Sequence, residues 1–142
     1  MWTSTVAHNS LLDTGRIADW ASHMIEHELS ALYDLSHGMG LAIIIPAWMK
    51  YVYSHDIERF ARFANKVWGI PMMENLEQMA LIGIAKTQKF FEELGAKNSL
   101  SAANLPTDKF EEMAKKATWR GPVGKFVPLN VEDVVNIYKL AK

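Results

Sequence analysis

Asp19-Trp20-Ala21-Ser22-His23-Met24-Ile25-Glu26-His27-Glu28-Leu29-Ser30-Ala31 is the stretch from which this chain is best read. It reads as part of a helix from about Arg16 to Tyr33, with Asp19 favourably placed in the first turns. Two histidines four apart on a helix lie on one face, about 6 Å apart along the axis, so His23 and His27 are neighbours. A third, His37, would lie about 21 Å from His23 if the helix ran on, too far to share an ion whose bonds are about 2 Å long. The chain must therefore turn back if the three rings are to meet. Tyr33-Asp34-Leu35-Ser36 supplies the break, with Ser36 expected to cap a new helix that begins at His37. In that first turn the helix's positive end favours a neutral, ligand-ready ring.

Two readings of the three histidines stand side by side. In one they are half of a metal site; in the other a partly buried helix pair uses them only for hydrogen bonding. Spacing on the helix does not choose between His23 and His27 as a ligand. His8 and His55 have no partner at ligand spacing and read as structural.

Outward from this stretch the helical period dominates, and no segment alternates as a strand would, so the fold class is all-α. A first helix is expected over Trp2 to Leu12, ending near Gly15, and the helix from His37 should kink or stop at Pro46. Ile57, Phe60, Ala61, Ala64, Val67 and Trp68 form one apolar stripe closed by Gly69 and Pro71. Leu76, Met79, Ala80, Gly83, Thr87, Phe91 and Leu94 form another, closed by Gly95. Ser99 to Pro106 and Arg120 to Pro128 read as loops around a short helix bearing Phe110, Met113, Ala114 and Ala117. Asn130 is placed to cap a last helix whose stripe is Val131, Val134, Val135 and Tyr138.

At 142 residues and 49% hydrophobic, the chain suits one helical domain over residues 1–142, burying roughly two-thirds of its unfolded surface. The net charge is −1, but Met1 to Met49 set Asp13, Asp19, Glu26, Glu28 and Asp34 against the single Arg16. That first third also carries His8, His23, His27 and His37, which suits a cation better than a phosphate backbone, so no nucleic-acid partner is expected. Cysteine is absent, which removes disulfides, Cys-ligated zinc and thiol nucleophiles. The apolar run Met39 to Met49 is too short to span a bilayer and no basic leader precedes Trp2, so a soluble, cytoplasmic protein with no membrane partner is expected.

No G-x-G-x-x-G and no P-loop lysine is present, and the glycines of His37-Gly38-Met39-Gly40 follow no strand. They read as close-packing residues at a helix start. His23-Met24-Ile25-Glu26-His27 also fits H-x-x-E-H, in which both histidines bind zinc and the glutamate activates water. A zinc hydrolase is thus an alternative, although such enzymes need a further acidic ligand and a larger substrate chamber.

The stretch Asp19 to Ala31, followed by Ser36-His37-Gly38 and by Pro46-Ala47-Trp48-Met49, resembles the C-terminal domain of iron-containing (group III) alcohol dehydrogenases. The likeness is greatest to their NAD(P)H-dependent butanol dehydrogenase branch. It covers nearly the whole chain, including Gly121 to Phe126, Leu129 and Glu132-Asp133-Val134 near the end. The fold it implies is the helical, dehydroquinate synthase-like metal-binding domain.

In that family an α/β domain binds the nicotinamide cofactor and the metal lies between it and the helical domain. The resemblance implies His23 and His37 as metal ligands, with an aspartate and a histidine supplied upstream. It places His27 beside the nicotinamide, orienting substrate or relaying a proton. It implies Fe²⁺, with Zn²⁺ possible in its place, NAD(H) or NADP(H), and a small alcohol or aldehyde. The cofactor-binding domain is not expected among these residues, so the chain alone should hold metal weakly and show no dehydrogenase activity. Glu26 and Glu28 read as solvated or interface charges. Two other readings remain: a stand-alone metal-binding protein completed in a homodimer, and a structural domain with idle histidines. Exposed Met, Trp and Ile around the helix pair could support a homo-oligomer.

Overall fold

Asp34 has left-handed backbone angles, φ 51° and ψ 34°, and on this reversal the whole arrangement turns. The computed structural model describes all of residues 1–142. Its helices are α1 (Trp2–His8), α2 (Ala21–Tyr33), α3 (His37–Val52), α4 (Ile57–Trp68), α5 (Leu76–Glu93), α6 (Phe110–Ala117) and α7 (Val131–Leu140). Short 3₁₀ turns cover Leu11–Asp13 and Tyr53–His55, and the one extended pairing is an isolated antiparallel bridge between Val123 and Leu129. The all-α expectation holds.

α3 is the central helix, packed on α2, α5 and α7. A helix covered from several sides has no use for a polar face, and Ile43, Ile44, Ala47, Met49 and Val52 are all buried. Pro46 is neither a boundary nor an end: α3 runs through it to Val52, with the proline itself buried. Proline removes one amide and crowds the preceding turn. The three helices that enclose α3 hold the helix together there.

α4 and α5 form a pair beside this centre that runs in the same direction, Ala64 meeting Gly83 and Trp68 meeting Thr87 and Phe90 further along both. Asp56 accepts the Arg59 amide and Asn75 the Gln78 amide, so each helix begins on a side-chain cap. Gly69, at φ 66°, closes α4. The two helices come closest where a Cβ on Gly83 would lie 2.6 Å from Ala64 Cβ. Val67 and Leu94 were expected on the buried stripes but are 58% and 69% exposed, Val67 lying on the side of α4 turned away from α5 while Trp68 beside it packs on Thr87 and Phe90.

The last helix starts as expected. Asn130 accepts the amides of Glu132 and Asp133, and the Asp133 carboxylate accepts the Asn130 amide, closing a capping box. α7 then buries Val134, Ile137 and Tyr138 against α3 and α6.

Two expectations near the start are corrected. α1 stops at His8, not Leu12, and buries nothing; Ser10, at φ 63°, breaks it. α2 begins at Ala21 rather than Arg16 because Asp19 is not inside the helix: its Oδ1 accepts the Ala21 amide at 2.8 Å from just outside. Ser36 occupies the N-cap position of α3 but its hydroxyl makes no capping bond; its carbonyl accepts the Gly40 amide at 3.0 Å.

Candidate metal centre

The reversal at Asp34 brings His37, the first residue of α3, back onto the His23–His27 face of α2. Ring centroids are 5.4 Å apart for His23 and His37, 5.2 Å for His27 and His37, and 6.5 Å for His23 and His27. The convergence inferred from the helix break is therefore present. Trp20 lies edge-on to His23 at 4.8 Å, and His8 reaches both Trp20 and His23. His55 is elsewhere, against the ring of Phe126 at 5.1 Å.

The largest departure from expectation is Glu26, read as a solvated charge and found fully buried. Its carboxylate pairs with His37 Nδ1 and accepts the Ser30 hydroxyl. Glu28, by contrast, is only partly buried. The helix's own periodicity carries no sign of this inward carboxylate. The available signal is Gly40, one turn after His37, where a Cβ would overlap the Glu26 side chain.

Glu26, His27 and His37 each offer a ligand atom within 4.8 Å of the other two, a group that leaves out His23. We read Glu26 as the outer member, since its two oxygens already serve His37 and Ser30. This also weighs against the H-x-x-E-H hydrolase reading, which needs the glutamate free to face a water.

His23 is held below the usual histidine pKa, first by burial and then by the neighbouring His37, His27 and His8. A neutral imidazole is the form that ligates a metal. His23 Nδ1 is also buried without a hydrogen-bond partner. The His23 ring, its orphaned nitrogen and a carboxylate-backed histidine fit a divalent transition metal of the Fe²⁺ or Zn²⁺ kind.

A cleft of about 760 Å³ adjoins these rings, lined among others by Trp20, His23, Trp48, Phe60 and Phe126. Trp48 Nε1, like His23 Nδ1, is buried and unpartnered. The cleft thus sets aromatic rings beside the charged Asp13, Arg16, Asp19, Arg59 and Lys125, with unused polar atoms in its lining. Its aromatic members were read in the sequence only within separate stripes and stretches, and their meeting in one cleft was not, because they come from separate segments.

A helical body thus gathers three histidines at a chain reversal, beside a cleft lined in part by aromatic rings. The chain belongs to the Fe-containing alcohol dehydrogenase family, whose C-terminal model matches residues 1–142. It is 40% identical to NADH-dependent butanol dehydrogenase A of Clostridium acetobutylicum, over 98% of this chain and 36% of that protein. It is 32% identical to the NADPH-dependent aldehyde reductase YqhD of Escherichia coli, over 100% of this chain and 37% of that one. The crystal structure of NADH-dependent butanol dehydrogenase A from Thermotoga maritima superposes with a TM-score of 0.91 at 37% identity, over 99% of this chain and 37% of that chain. The chain thus spans little more than a third of the relatives it matches. No helix is long and apolar enough to cross a membrane.

Proposed function

We propose that these residues form the metal-holding, substrate-facing part of an NAD(P)H-dependent oxidoreductase that interconverts small alcohols and aldehydes. The observation that carries this is the meeting of His23 and His37, from two different helices, at 5.4 Å between ring centroids. The kinship with butanol dehydrogenases and an aldehyde reductase supports the reaction class.

His23 and His37 would hold Fe²⁺, or Zn²⁺ in its place, together with ligands from outside these residues. Such an ion, when bound, supplies Lewis-acid polarisation of the alcohol or aldehyde oxygen, and the nicotinamide supplies or takes the hydride. His27, on the same face and exposed, orients the substrate oxygen or carries its proton to solvent. Trp20, Trp48, Phe60 and Phe126 in the adjoining cleft give an alkyl chain an apolar wall, and Trp48 Nε1 offers one donor to a polar atom that enters it. Ile17, Trp20 and Met24, exposed beside the rings, give the face on which a nicotinamide-bearing part would sit.

Calorimetric titration of the metal-free 142-residue chain with Fe²⁺ under anaerobic conditions, and with Zn²⁺, tests this. Binding is expected to be weak and to disappear in the His23→Ala/His37→Ala double variant. Equal binding by that variant overturns the assignment of the ligands. Tight, stoichiometric binding with a metal-dependent doubling in mass favours instead a metal protein completed across a homodimer. The 142 residues alone are expected to reduce no NAD(P), since they hold no phosphate-binding glycine loop.

A further inference from the structure

We infer that Glu26 is a positioning residue for His37, accepting its Nδ1 proton and so leaving Nε2 as the ring's free lone pair. The inference rests on the metal-site reading above, but the tautomer it assigns exists without metal.

Four residues build the arrangement. Glu26 is fully buried, a position a carboxylate occupies only when its oxygens are satisfied. Ser30, one turn on in α2, donates its hydroxyl to Oε1, and Oε2 is left for His37. A hydroxyl has one proton to give, and the two partners divide the two oxygens between them. Gly40, one turn into α3, makes the room: a Cβ there would lie 2.7 Å from both Cγ and Cδ of Glu26 and overlap its carboxylate. Those atoms belong to a side chain held between two helices, so it yields only by giving up its place beside His37.

A histidine has two nitrogens, and a metal takes the one that carries no proton. Without a partner at Nδ1, an exposed ring such as His37 would divide its proton between the two and would rotate. With Glu26 at Nδ1, both the tautomer and the ring plane are fixed before any ion arrives. Carboxylate partners of this kind change metal affinity by about 10- to 100-fold.

The experiment compares the wild-type chain with Glu26→Ala, Glu26→Gln, Gly40→Ala and the Glu26→Ala/Gly40→Ala double variant. Long-range ¹⁵N–¹H correlation spectra of the metal-free proteins read the His37 tautomer, and calorimetry with Zn²⁺ reads affinity. Wild type is expected to carry the proton on Nδ1. Glu26→Gln, whose amide oxygen still accepts, keeps that tautomer and most of the affinity. Glu26→Ala shifts His37 toward the Nε2-protonated form and weakens Zn²⁺ by about 10- to 100-fold. Gly40→Ala, which leaves Glu26 in the sequence but displaces it, does the same, and the double variant is no weaker than either single one. Nε2-protonated His37 in the wild type overturns the inference, as does an unchanged tautomer in Glu26→Ala. Failure of the wild type to bind Zn²⁺ counts against the metal-site reading, and the tautomer spectra then decide the part played by Glu26.

Discussion

Asp19 Oδ2 accepts the backbone amides of both Lys125 and Phe126, each at 2.7 Å, joining the entrance of α2 to a loop more than a hundred residues later. With Oδ1 on the Ala21 amide, one carboxylate serves three backbone donors. The same loop carries Phe126 into the cleft beside His23. Charge-assisted bonds of this sort are worth about 1.5–3 kcal/mol each, less where solvent competes. Asp19→Ala is expected to lower unfolding stability by about 2–3 kcal/mol, measured in urea, and to speed amide exchange at Lys125 and Phe126. Asp19→Asn keeps two acceptor lone pairs and should lose about half as much.

Tyr138 gives a prediction that depends on pH. Its hydroxyl donates to the Ile25 carbonyl at 2.7 Å in the protein's interior, within the helix that bears His23 and His27. Burial first, then the carboxylates of Glu28 and Glu26 and the phenol of Tyr33, push its pKa far above the ordinary tyrosine range. The unfolded chain releases this proton near pH 10 while the folded chain keeps it, so unfolding is proton-releasing there. The stability tied to Tyr138 is complete below about pH 10 and declines as pH rises beyond it. Tyr138→Phe should cost about 1–2 kcal/mol at pH 8 and flatten the alkaline decline, seen in urea midpoints at pH 8 and pH 11. An equal decline in both proteins would remove Tyr138 from the account.

The α4 and α5 crossing gives a third. Gly83→Ala puts a methyl 2.6 Å from Ala64 Cβ and should destabilise by about 1–3 kcal/mol, with part of the loss recovered in Ala64→Gly/Gly83→Ala. Thermal unfolding monitored at the helical circular dichroism band measures both.

A fourth concerns the histidine away from the cluster. His55 packs on Phe126 with no contact to the three rings, so His55→Ala should leave Zn²⁺ affinity unchanged while His37→Ala abolishes it. Loss of affinity in the His55 variant would move the site.

The parts legible in the sequence are those written locally. Asn130 and Asp133 lie close enough to close a cap by themselves, and Phe60, Ala61 and Ala64 bury because an amphipathic period needs no distant partner to be read. His23, His27 and His37 could be brought together on paper because helix rise sets an upper limit on reach and a break lay between them. What escaped depends on other segments. The start of α2 is displaced by Asp19 reaching residues 125 and 126. Pro46 sits within a helix because three neighbours enclose it. Glu26, on the α2 face, turns inward because Gly40, on α3, has no side chain. Each is a contact between positions whose separation in sequence hides it from periodicity.

The empty space at Gly40 also sets an order of events for any lineage that alters this corner. A side chain that appears at position 40 while Glu26 stands must push the carboxylate from its place, since the two would occupy one volume. Replacement of Glu26 first, or at the same step, avoids that displacement, and once position 40 is filled the carboxylate cannot regain its place until that position is emptied again. The route is a ratchet, and relatives that differ at one of these two positions should be found to differ in that sequence of steps.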